Sequence, residues 1–81
     1  MKTWMLWYDD QGDIVERVIR AANYYEKKYL CRPNLCLIAH GEIPGELMVN
    51  GIRVISDRRV ARKHLWIGYE AIQGDENNDL L

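Results

Sequence analysis

Only one stretch of this chain repeats its apolar residues at helical spacing. Val15, Val18, Ile19, Ala22, Tyr25 and Tyr29 recur every three or four positions, while Arg17, Arg20, Tyr24 and Lys28 fall on the other side. Asp13 precedes the run and Glu16 follows three residues later. That spacing lets the aspartate accept from a free N–H of the first turn while the glutamate reaches back to the cap. Pro33 disfavours helical geometry at Arg32, so the helix should stop near Leu30. Glu16 and Arg20 are expected to form an i,i+4 ion pair worth roughly a few tenths of a kcal/mol.

The other apolar runs are too short for helices and read as strands. Residues 4–8 are Trp-Met-Leu-Trp-Tyr, followed by the polar turn Asp9-Asp10-Gln11-Gly12. Residues 35–39 form a second apolar run, closed by Gly41-Glu42-Ile43-Pro44-Gly45. Asn50-Gly51, between Leu47-Met48-Val49 and Ile52-Arg53-Val54-Ile55, supplies the positive φ angles of a type I′ turn and predicts a two-residue hairpin. Its register should set Val49 against Ile52 and Leu47 against Val54, leaving Glu46, Met48, Arg53 and Ile55 on the other face. Residues 65–69 complete the set, and residues 71–81, rich in acids and lacking periodicity, read as a disordered tail.

The order is thus strand, helix, then four strands, in one domain over residues 1–70. It predicts a two-layer α+β fold with one helix packed on a mixed, mostly antiparallel five-stranded sheet. The first three elements suggest a βαβ unit, right-handed if its strands are parallel in one sheet, and the rest reads as an antiparallel meander. One helix covers one face of such a sheet. The other should expose part of Trp4 or Trp7, with Met48, Ile55 and Trp66, as an interface. A second copy of the chain is the simplest cover, and a two-fold dimer the commonest closed form. Trp7 or Trp66 would be the natural anchor.

Composition narrows the function classes. The 81 residues carry a formal charge of −1, so no global field points to nucleic acid or a membrane. No apolar run approaches the length of a membrane span or of a signal-peptide core, and two cysteines make no disulfide framework. A reduced, cytoplasmic protein is expected.

Four constellations invite chemistry. Arg58, Arg59, Arg62 and Lys63 concentrate four cations before His64. They suit phosphate contacts with Trp66 or Tyr69 stacking a base, above all if Asp57 caps a helical turn that aligns them. Nucleic acid or another polyanion is therefore the alternative partner to a second copy. Cys31, Cys36, His40 and His64 match the count of a tetrahedral zinc site, but their spacing fits no compact ligand knuckle, and no metal or other cofactor is expected. Glu26 lies within the apolar stripe, where it must reach water from the helix end, pair with a cation such as Arg53, or act beside His40. The cluster Asp9-Asp10-Gln11-Gly12-Asp13 lacks the alternating spacing of a calcium loop and reads as a turn plus cap. Nothing forms a recognisable acid, base and nucleophile set, so catalysis is the least favoured class.

Overall fold

The computed structural model describes residues 4–70, and the tail assigned to residues 71–81 lies outside them. The elements are β1 (Trp4–Tyr8), α1 (Ile14–Tyr29), β2 (Leu35–Ala39), β3 (Leu47–Val49), β4 (Ile52–Asp57) and β5 (His64–Gly68). They form the expected α+β fold, one helix on a mixed five-stranded sheet of order β1-β5-β2-β4-β3.

The order corrects the meander. β5 does not sit beside its sequence neighbour β4 but inserts between β1 and β2, antiparallel to both, while β4 runs parallel to β2. β1 and β2 are therefore parallel to each other, with β5 between them, so the βαβ unit is a split one. Asn34 fixes this arrangement where β2 begins. Its backbone N–H donates to Gly68 of β5, its carbonyl accepts from Arg53 of β4, and its side-chain amide exchanges two hydrogen bonds with the backbone of Glu70.

The helix begins as its sequence dictates. Asp13 accepts from the Glu16 N–H at 2.9 Å, and Glu16 accepts from the Asp13 N–H at 3.2 Å. It ends with Leu30 in the left-handed region at φ 59°, its N–H donating to the Glu26 carbonyl. A leucine there costs on the order of 1 kcal/mol relative to glycine. Arg32 and Pro33 require the chain to leave the helix at that point.

The buried stripe is Val18, Ala21, Ala22 and Tyr25, rotated slightly from the expected one, so that Val15 remains exposed and Ala21 does not. Two rows of sheet residues lie beneath it. One is Met5, Ile67, Cys36, Val54 and Leu47; the other is Trp7, Leu65 and Ile38, continued by Ser56. Trp7 packs its ring 5.0 Å from that of Tyr24. Alternate residues of every strand consequently point away from the helix.

The hairpin has the expected register, Val49 against Ile52 and Leu47 against Val54. Asn50 and Gly51 take φ angles of 51° and 83°, as a type I′ turn requires. A Cβ built on Gly51 meets nothing within 4 Å, so a larger residue is resisted by the backbone angle alone. Gly51→Val should destabilise the fold by about 1 kcal/mol or more, since β-branching opposes positive φ. Thermal unfolding measures this, and an unchanged transition would show that the turn does not constrain the fold.

Candidate functional site

The face turned away from the helix is the largest unsatisfied feature of the described residues. Leu6, Trp66, Leu37 and Ile55 are successive register partners across β1, β5, β2 and β4, giving an unbroken apolar row over four strands. Leu6 is 52% exposed and Trp66 37%. Trp4 and Leu35 extend the patch along one side, Tyr8 stacks on His64 at 5.1 Å along the other, and Met48 stands exposed on β3. Trp4, Leu37, Trp66 and Val60 line a groove of about 480 Å³ whose mouth carries Asp57 and Arg59.

Of the four residues expected at an interface, Met48, Ile55 and Trp66 share this face. Trp7 does not: it lies under α1, and Trp4 occupies the open side instead. The run Trp-Met-Leu-Trp-Tyr is apolar at every position and gives no alternation from which the facing could be read.

Charges on the open face are closed off in pairs. Arg53 meets Glu46 at 2.7 Å, and Arg59 grips Asp57 through two nitrogens while its backbone N–H also donates to that carboxylate. These contacts, the Arg59 hydrogen bond first, hold the Asp57 carboxyl well below its usual range. The residues before His64 form two tight turns, Asp57 to Val60 and Ala61 to His64, rather than a helical turn. Arg58, Arg59 and Arg62 are thus not aligned on a helix face. Arg59, though exposed, is paired with Asp57, leaving Arg58, Arg62 and Lys63 as the segment's exposed cations outside that pair.

A polar cleft of about 430 Å³ opens where β1 and β2 end, with Arg17, Arg62, Lys63 and His40 on its walls. Its carboxylates offset most of that charge. Glu42 accepts from Arg17 at 2.8 Å and faces the Lys63 backbone N–H, and the Asp10 carboxyl is held below its usual value first by the Gln11 side-chain amide and, more weakly, by the nearby Lys63 cation. No convergent acid and base emerge from the cleft.

The remaining candidates separate in space. Cys31 is exposed beyond the helix, whereas Cys36 is buried under it, where desolvation pushes the thiol up to about 12. His40, just past β2, and His64, which opens β5, stand together at the end of the sheet away from Cys31, and no group of three or more His, Cys, Asp or Glu side chains able to hold a metal ion occurs among the described residues. Glu26 is exposed and pairs with Arg32 at 3.2 Å, not with Arg53, and His40 lies at the opposite end of β2. No helix among the described residues is long and apolar enough to cross a membrane. Compared with known proteins, the chain matches no family model, no curated protein and no solved structure.

Sequence reasoning missed the ion pairs that brace this end of the molecule. Arg20 does not pair with Glu16, which is occupied at the helix cap. It clamps buried Asp9 through Nε at 2.7 Å and Nη2 at 3.0 Å, and also donates to the Gln11 carbonyl. Asp9 further accepts from the Gln11 N–H and the Trp7 indole. The Arg20 hydrogen bond is the main cause of its pKa falling from 3.8 to about 2.

A carboxylate with a depressed folded-state pKa contributes stability above its unfolded value, and that contribution disappears as pH falls through the folded one. Asp9→Asn should therefore lower stability at neutral pH by about 1–2 kcal/mol, allowing for the partly exposed arginine. It should also flatten the loss of stability between about pH 4 and pH 2. Denaturant titrations across that range measure both effects, and an unaltered acid limb would show that Asp9 is not the group responsible.

Proposed function

We propose that this chain is a small, non-catalytic, homo-oligomeric interaction module whose open sheet face is covered by a second copy. The observation that carries the reading is the apolar row Leu6, Trp66, Leu37 and Ile55, left uncovered by the single helix. Soluble monomers rarely expose contiguous apolar patches of this kind without a partner. Charge favours a like partner. The Arg53–Glu46 and Arg59–Asp57 pairs leave the face with little net charge, so identical copies meet without like-charge repulsion. A C2 contact uses one surface twice and needs no second complementary patch. Two free thiols, one exposed, suit a reducing compartment, and we place the protein in the cytoplasm.

The alternative is polyanion binding through Arg58, Arg59, Arg62 and Lys63. It draws support from Trp66 and Arg59 lining one groove, where a base would stack beside a phosphate contact. Against it, Arg59 is held by Asp57 and the Lys63 cation lies near the Asp10 carboxylate.

Sedimentation at low micromolar concentration distinguishes the readings. The parent chain should run as a dimer or larger species insensitive to salt, and Trp66→Asp should weaken association by about thirty-fold or more, as expected for an anchoring aromatic. A single 9.6 kDa parent species would overturn self-association. The polyanion reading expects oligonucleotide affinity to fall about thirty- to fifty-fold from about 50 to about 200 mM salt, with three phosphates contacted.

A further inference from the structure

The two edges of the sheet are unequal. The β3 edge is three residues long, follows Pro44-Gly45, and has the Glu46–Arg53 ion pair beside it. Short strands, prolines and charges are the devices that keep an edge from pairing with another chain. β1 forms the other edge and has none of them. Its five residues contain no charge, no proline and no glycine, and among the described residues its only sheet neighbour is β5. One row of backbone N–H and C=O groups along β1 is therefore open to a further strand.

We propose that β1 pairs edge to edge with β1 of a second copy, antiparallel across a two-fold axis at Leu6. This contact is separate from the open face and does not depend on the reading proposed above. An axis at Leu6, the middle residue of β1, is the one that pairs all five residues of the strand. With the axis at Leu6, that residue opposes its own copy, Trp4 opposes Tyr8 of the second copy, and Met5 opposes Trp7 of the second copy. Residues whose positions sum to twelve have equal parity, so each pair lies on one face of the sheet. Trp4, Leu6 and Tyr8 meet their counterparts on the open side, and Met5 and Trp7 meet theirs on the helix side. The pairing sets aromatic against aromatic at two symmetry-related positions, which stabilises antiparallel strands, and places no like charges opposite one another. The apolar row beginning at Leu6 then runs on into the second copy without a break.

Cross-linking tests the contact. In a Cys31→Ser background, which removes the exposed thiol, Leu6→Cys places two sulfurs opposite each other within disulfide range. Mild oxidation should convert most of the chain to a covalent dimer, whether or not Trp66→Asp is also present. Met48→Cys, exposed on the guarded β3 edge but also on the open face, should form no disulfide-linked dimer under the same conditions once Trp66→Asp is present. Cross-linking lost on adding Trp66→Asp would mean that the copies meet through the open face alone and would overturn the edge contact. Cross-linking that persists while Trp66→Asp leaves the sedimentation mass unchanged would support the edge and remove the open face.

Hydrogen exchange on the unmodified chain provides a second readout independent of any substitution. Amides alternate in direction along an edge strand, so an unpaired β1 protects only those facing β5. Edge pairing should slow the outward amides of residues 4–8 by on the order of a hundred-fold. Fast exchange at those outward amides would overturn the proposal.

Discussion

Strand β5 hydrogen-bonds to β1 on one side and to β2 on the other, and most of the molecule's surface follows from that insertion. It places β2 in the middle of the sheet, parallel to β4, and pushes β1 to the edge. It carries Leu65 and Ile67 beneath the helix and Trp66 to the opposite side. Asn34 secures the insertion by bonding to β4, β5 and Glu70 from one position. Because the described residues hold one helix for five strands, they give the sheet one dry face and one apolar face without a cover among them. The association proposed here is the consequence of that shortage.

The local elements were legible because local rules govern them. The capping box at Asp13 and Glu16, the helix end near Leu30 and the Asn50-Gly51 turn each depend on residues a few positions apart, and each formed as read. What the sequence hid was mostly non-local. Nothing in residues 64–68 states which strands they will join, so β5 read as the last strand of a meander. Arg17 and Arg20 read only as the polar side of the helix, Arg20 paired with Glu16, because their partners, Glu42 and Asp9, are 25 and 11 residues away. The charge accounting of the site changed for a local reason instead, because Asp57 closes a turn with Arg59 two residues on rather than capping a helical one. Arg59 looked like a free cation until the chain turned back at Asp57 and closed the pair.

These ion pairs also weigh in the proposal of a like partner over a polyanion. A phosphate-binding surface requires cations whose charge is not already satisfied, and here the arginine that lines the aromatic groove is answered by a carboxylate. An apolar surface with internally neutralised edges suits a partner with the same properties. A second copy has them by definition. The buried Asp9–Arg20 clamp plays no direct part in that contact, but it ties the end of β1 to α1 and so holds both the edge strand and its aromatic residues in place.

The central claim is that the open face is covered by an identical chain, and filtered nuclear Overhauser spectroscopy on a mixture of isotopically labelled and unlabelled chains tests it most directly. The account predicts intermolecular contacts from the Trp66 indole and the Leu37 and Ile55 methyl groups, which lie adjacent along the apolar row. An absence of such contacts, together with a Trp66 indole freely quenched by acrylamide, would contradict it.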